Sequence, residues 1–337
     1  GRRAYRRRRA GGQAGLQIRG LNQLTSRERQ LTDIGFIGLG NMGAALARRL
    51  MRDHTLHVWD MNQAAIDALV ADGAIAANGP EGVGASGAEL VLTCLPTSVQ
   101  VEQVLFGPDG VAASLPKGAL IADMTTGDPL ATKEMAARLA EQGIDLIDAP
   151  VSGGVSGAEQ GTIAIMIGAP EALFDRVKPA FESISPNILH AGETGAGHAM
   201  KLINNMISSC IRLATFEGLV LATKAGIEPM RFAEILSKGS GRGYVADTSL
   251  PRFVIPGRLN QDFGLALMHK DLTLATKLGQ DMQVPLTTGN YAREVFRSAL
   301  NKLGDDVDIT QLIRIFEDAA GVDVCAAQTA LDRDKVD

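Results

Sequence analysis

The chain has 337 residues, 45% of them apolar and 21% charged, with a formal net charge of −5. That is the composition of a soluble globular protein long enough for two domains, and no uncharged apolar run of 18 or more residues is present to suggest a membrane span. The charge is uneven: residues 1–31 hold nine Arg and one Glu, a net of +8, which leaves −13 on an acidic body that does not suggest nucleic-acid binding.

Residues 1–31 show no apolar period and read as a disordered Arg-rich tail. The segment has no apolar core of a secretory signal. An extended start, a mitochondrial transit remnant and a polyanion-binding arm all remain open, so a cytoplasmic location is expected, or the mitochondrial matrix if the start is a transit remnant. Cys94, Cys210 and Cys325 have no paired spacing, and the five His form no ligand cluster, so no metal is expected.

Organisation begins at Thr32. Thr32–Leu39 is an apolar run suited to a buried parallel strand, followed by Gly38, Gly40 and Gly43 in the spacing GxGxxG, with Asn41 and Met42 between, and then by a helical period. Gly38 permits a tight turn, Gly40 lets backbone approach a pyrophosphate, and Gly43 lets the helix pack on the strand. Leu56–Trp59 is a second strand. Asp60 ends it, 20 residues after Gly40, where a carboxylate accepts ribose hydroxyls and repels a 2′-phosphate. With Met61 and Asn62 beside it and no Arg, the pattern predicts NAD over NADP.

Further strands are predicted at Ala88–Pro96, Ala119–Met124, Ile144–Ala149, Ile163–Ile167 and Asn187–His190, with a helix begun by Asp128 and Pro129. The alternation implies an α/β Rossmann-type doubly wound sheet with its ligand at the strands' carboxyl ends, near Leu95, Pro96 and Thr126. Within Asp148–Thr162, Ser152, Gly153 and Gly154 read equally as an anion-binding nest or as a Gly-rich turn. Gly157–Gly161 reads as a turn.

Beyond Gly192 only helices are predicted: a long one capped by Thr194 and running to about Ala225, then Pro229–Leu236, Phe263–Leu278, Gly289–Leu303 and Thr310–Ala319. The expected organisation is therefore a tail at 1–31, a dinucleotide-binding domain at 32–193, an all-α C-terminal domain at 194–331 and an end tail at 332–337. On the long helix Lys201 and Asn205 share a face among apolar residues. Burial there would lower the lysine's pKa toward neutrality and suit it to proton transfer; an exposed lysine with a snorkelled stem is the alternative.

Taken together, these motifs resemble the β-hydroxyacid dehydrogenases over about Asp33–Gly321. Gly35–Gly43 is similar to the family's cofactor signature, Asp148–Gly154 (DAPVSGG) to its substrate motif, Lys201–Asn205 (KLINN) to its catalytic motif and Lys270–Leu272 (KDL) to the segment closing over the nicotinamide. The resemblance implies that Lys201 is the acid/base and Asn205 a substrate hydrogen-bonding partner, with the substrate carboxylate on Ser152, Gly153 and Gly154. It adds Leu95, Pro96, Gln100, Thr126 and Lys270 to the cofactor contacts, and a homodimer or homotetramer as the assembly. The activity it implies is NAD-dependent oxidation of a small 3-hydroxy acid, as in 3-hydroxyisobutyrate dehydrogenase. Reduction of 2-hydroxy-3-oxopropionate (tartronate semialdehyde) is the alternative, and a non-catalytic NAD-binding scaffold a remote one. The stretch DMTTGDP departs from the family pattern at Met124 and Gly127.

Overall fold

The computed structural model describes residues 33–334. The Arg-rich segment 1–31, expected to be disordered, lies outside the described residues, as do residues 335–337 of the expected end tail. β1 (Asp33–Ile37) leads into α1 (Asn41–Leu50), β2 (Thr55–Trp59) into α2 (Gln63–Ala71), and the two-residue β3 (Ile75–Ala76) into α3 (Gly79–Gly84). β4 (Leu90–Thr93) is followed by α4 (Ser98–Phe106), β5 (Leu120–Asp123) by α5 (Pro129–Ala140), and β6 (Asp145–Asp148) by β7 (Val151–Ser152) and α6 (Gly154–Gln160). β8 (Ala164–Gly168), α7 (Glu171–Glu182) and β9 (Ile188–Gly192) complete the sheet half.

The strand order is β3-β2-β1-β4-β5-β6-β8-β7, with β9 on β8. β1 to β6 are parallel, whereas β8 runs antiparallel to β6 and β7. The order reverses between β1 and β4, which opens a crevice beyond their carboxyl ends. Side-chain alternation builds a core on each face. Ile34 and Phe36 join Leu46, Leu92 and Phe181 on one side, and Ile37 joins Val91, Val101 and Ile121 on the other.

The helical half comprises α8 (Ala196–Lys224), α9 (Pro229–Lys238), a π-helix (Val245–Val254), α10 (Leu265–Asp281), α11 (Thr287–Leu303), a 3₁₀ turn (Ile309–Leu312), α12 (Ile313–Ala320) and α13 (Val324–Asp334). Its own core gathers Phe216, Leu250, Leu272, Phe296 and Leu312. The π-helix had no counterpart in the sequence reading, because Pro251 inside it removes an N–H and reads as a break. By length and hydropathy α8 could cross a membrane. Here it is a core helix, with Leu202, Leu213, Phe216 and Leu219 buried against the rest of the chain.

Two local expectations are corrected. Thr194 does not cap α8: the N-cap is Gly195, and the Asp148 carboxylate takes the amides of Gly195 at 2.5 Å and His198 at 2.6 Å. A buried carboxylate from a strand end therefore does what a local hydroxyl was expected to do. Gly157–Gln160 is not a turn but the end of α6, and only Gly161 turns, as its left-handed cap. Burial of Ala158 and packing against α1 outweigh the poor helix propensity of glycine.

Candidate active site

The Gly38–Gly43 turn is shaped by close approach. Gly38 has φ +97°, and a Cβ on it would lie 2.3 Å from the Cys94 carbonyl oxygen. A Cβ on Gly43 would lie 2.0 Å from the Gly38 carbonyl oxygen, whereas Gly40 meets nothing within 4 Å. No side chain caps α1, so its leading amides are left for a ligand. Asp60 is fastened to this turn: its carboxylate accepts the Leu39 N–H at 2.6 Å and the Asn62 N–H at 2.7 Å. These groups form one wall of a cavity of about 920 Å³, whose lining includes Gly38, Gly40, Asn41, Met42, Gly43 and Asp60.

The loops after β4 and β5 form the adjoining wall, with Leu95, Pro96, Gln100 and Thr126 in the lining. They are tied together from beneath. The Leu95 N–H donates to Thr125 Oγ1 at 3.0 Å, and the Asp123 carboxylate accepts from the Thr125 N–H at 3.0 Å and the Thr93 hydroxyl at 2.8 Å. Lys270 reaches across from α10, donating to the carbonyls of Thr126 at 2.7 Å and Pro96 at 3.1 Å.

At the inner end Lys201 is 6% exposed and lines the same cavity. Burial pulls its pKa from 10.5 down to about 8; nearby Asp271 opposes that shift and Lys270 adds to it. The snorkelled, exposed reading of this lysine does not hold. Asn205, on the same face, donates from Nδ2 to Asp271 Oδ2 at 2.7 Å. Asn204 Nδ2 lies 3.1 Å from Asn205 Oδ1 and 3.5 Å from Ser152 Oγ, which links the lysine helix to the loop after β6.

All the residues singled out for the cofactor thus meet in one cavity, together with Lys201 and Gly154. Ser152, Gly153 and Asn205 are not among the residues that line it. The sequence reading missed Asp271, which is 2% exposed although it follows a charged lysine. The available signal was its place on the buried arc of α10, between Met268 and Ala275. Trp59, Phe263 and Leu267 were missed as apolar lining. Among the described residues no group of three His, Cys, Asp or Glu is arranged to hold a metal ion.

Comparison with known proteins decides what this cavity belongs to. Residues 33–192 match the family described as the NAD binding domain of 6-phosphogluconate dehydrogenase. Residues 195–316 match the NAD-binding region of NADP-dependent 3-hydroxyisobutyrate dehydrogenase. The 2-(hydroxymethyl)glutarate dehydrogenase of Eubacterium barkeri is 39% identical over 296 residues, covering 88% of this chain and 98% of that one. The chain belongs to the β-hydroxyacid dehydrogenase family. The 2-hydroxy-3-oxopropionate reductase of Escherichia coli is 36% identical over 285 residues, covering 84% of this dehydrogenase and 97% of the relative. The Mycobacterium tuberculosis 3-hydroxyisobutyrate dehydrogenase, solved with L-serine, superposes with a TM-score of 0.77 at 30% identity, covering 85% and 99% of the two chains. This dehydrogenase binds NAD, and its uncapped α1 amides, open Gly40 and fastened Asp60 fit a pyrophosphate and an adenosine ribose.

Proposed function

We propose that the protein is an NAD-dependent oxidoreductase acting on a small 3-hydroxy acid or its semialdehyde, in the manner of 3-hydroxyisobutyrate dehydrogenase. Segment 32–193 would be its NAD-binding domain and 194–331 its helical substrate domain. The observation that carries the reading is Lys201, buried in the cofactor cavity with its pKa near 8 and flanked by Asn205 and Asp271.

The relatives' substrates share one chemical core. 2-(Hydroxymethyl)glutarate, 3-hydroxyisobutyrate and L-serine each carry a carboxylate whose α-carbon bears a hydroxymethyl group, and 2-hydroxy-3-oxopropionate carries an aldehyde at the same position. Ser152, Gly153 and Gly154 are the proposed anchor for that carboxylate. Lys201 and Asn205 face the hydroxyl. In oxidation neutral Lys201 accepts the hydroxyl proton; in reduction its ammonium returns a proton to the carbonyl oxygen. The bound nicotinamide supplies the hydride acceptor or donor. Gly38–Gly43 and Asp60 hold its diphosphate and adenosine ribose, and Leu95, Pro96, Gln100, Thr126 and Lys270 border the remainder. The Asp60 carboxylate favours NAD over NADP, because it would repel a 2′-phosphate.

Reduction of 2-hydroxy-3-oxopropionate is the second reading, favoured by the Escherichia coli relative. A homodimer or homotetramer fits the apolar stripe Met200, Ile203, Ile207 and Ile211, which stays exposed along α8. A cytoplasmic location goes with an acidic body and three free cysteines.

The test is steady-state turnover with NAD and with NADP across 3-hydroxypropanoates substituted at C2 and their semialdehydes. Preferred oxidation of one acid with NAD supports the dehydrogenase reading, and preferred reduction of 2-hydroxy-3-oxopropionate transfers it to the reductase. Absence of turnover across the panel, with NADH bound, removes both.

A further inference from the structure

A buried polar cluster lies beneath the cavity, outside the site described above. His198 is fully buried on α8, three residues before Lys201. Its Nδ1 is 2.9 Å from Thr132 Oγ1 on α5, and that hydroxyl is also 3.0 Å from the Asp128 carbonyl oxygen. On the opposite edge of the ring Nε2 faces Asp123 Oδ2 at 3.8 Å, and neither atom has a hydrogen-bond partner among the described residues. Gly127 covers the ring: a Cβ there would lie 3.0 Å from Cε1 and 3.2 Å from Nδ1.

These contacts orient the imidazole. Asp123 faces one edge of the ring across 3.8 Å, and Thr132 is hydrogen-bonded to the other. The Thr132 hydroxyl donates to the Asp128 carbonyl and leaves its oxygen toward Nδ1. The bond to Thr132 and the close cover of Gly127 hold the ring in place. Two of its neighbours are tied to the cavity wall. Asp123 holds the Thr125 amide, and Gly127 follows Thr126, whose carbonyl receives Lys270. Asp148 fixes the backbone at the same residue by accepting the His198 N–H.

We infer that His198 is a positioning residue, wedged between Asp123 and Thr132 so that α8, carrying Lys201, and the loop 125–128, bordering the nicotinamide, keep one fixed relation. The inference rests on the proposed role of Lys201. A threonine hydroxyl, an imidazole and a carboxylate in line could serve as a nucleophile relay, but Thr132 and Asp123 are themselves buried, so no substrate reaches them.

The experiment compares wild type with His198→Ala, His198→Gln and Thr132→Val, measuring kcat, the KM of the hydroxy acid and NADH affinity. NADH binding is followed by energy transfer from Trp59, the single tryptophan, which lines the cavity. In His198→Ala, kcat is expected to fall about 10- to 100-fold, the scale of a misplacement near 1 Å. NADH dissociation should strengthen about three- to tenfold as the competent fraction drops, with the KM of the hydroxy acid nearly unchanged. His198→Gln keeps a planar polar group between Asp123 and Thr132, and should recover most of both losses. A structural role alone would lower thermal stability while leaving kcat per folded site intact, and that result overturns the inference. Should His198→Ala not fold, Thr132→Val decides: an unaltered kcat and NADH affinity overturn the inference. Wild type that binds NADH but turns over nothing would remove the proposed function, and the NADH affinities alone would then decide the role of His198.

Discussion

Asn205 and Asp271 are joined by a 2.7 Å hydrogen bond between helices α8 and α10, both of them buried. Because Asp271 receives the amide N–H₂ of Asn205, the orientation of that amide is set, and the same carboxylate raises the pKa of Lys201 against burial. Asp271→Asn keeps an acceptor for Asn205 and removes the charge. The Lys201 pKa then falls below about 8, so the neutral base is available at lower pH. The midpoint of the rise in oxidation rate with pH is expected to move acidward by more than half a unit (on the order of 1 kcal/mol), as read from kcat profiles. Asp271→Ala also frees Asn205 and should lose about another tenfold in kcat.

Lys201 carries two opposite predictions. Lys201→Met should lower kcat by about two to four orders of magnitude, the scale of acid/base catalysis. It should also stabilise the fold. The unfolded lysine keeps its ordinary value of 10.5 while the folded one sits at about 8. Between those values the unfolded state binds more protons, so stability rises with pH across that window. At neutral pH the folded state bears the whole penalty of the buried charge. Relief of it, less the lost attraction to Asp271, should raise stability at pH 7 by about 1–2 kcal/mol, measured by denaturant titration. At pH 11 the gain should vanish.

Asp60 tests coenzyme choice. Its bonds to the Leu39 and Asn62 amides tie the end of β2 to the glycine turn. Asp60→Ala should reduce kcat/KM for NAD about 10- to 100-fold, the scale of hydrogen bonds to a charged group. The value for NADP should change less, since repulsion of its phosphate goes too. Coenzyme titrations at saturating substrate check the ratio.

Gly43 tests the turn itself. A methyl group there would stand 2.0 Å from the Gly38 carbonyl oxygen. Gly43→Ala should push α1 off the sheet, lower stability by more than about 2 kcal/mol and abolish NADH binding. Calorimetry and Trp59 energy transfer would read the two effects.

What the sequence made legible was local. Gly38–Gly43, Asp60 and the run Lys201–Asn205 each carry their chemistry within a few residues, and periodicity alone places them on a strand end or a buried helix. What stayed hidden depended on distant segments. The cap of α8 comes from Asp148, 47 residues before Gly195, so a nearby threonine drew the assignment instead. Asp271 looks like a solvated step until α8 is packed over it, and α6 is a helix only because α1 covers it. The cluster around His198 gathers Asp123, Thr132 and Asp148 from separate elements, and no spacing in the chain foretells it.

The placement of Asp148 also ties two distant parts of the chain to one point. One carboxylate begins the stretch that reaches Ser152 and, through the Gly195 amide, begins the helix that reaches Lys201. The spacing between the Ser152 loop and the Lys201 helix is therefore gauged by two short lengths of backbone measured from a common origin. Side-chain changes on the facing helix α10, or in the loop carrying Phe263, leave that gauge untouched.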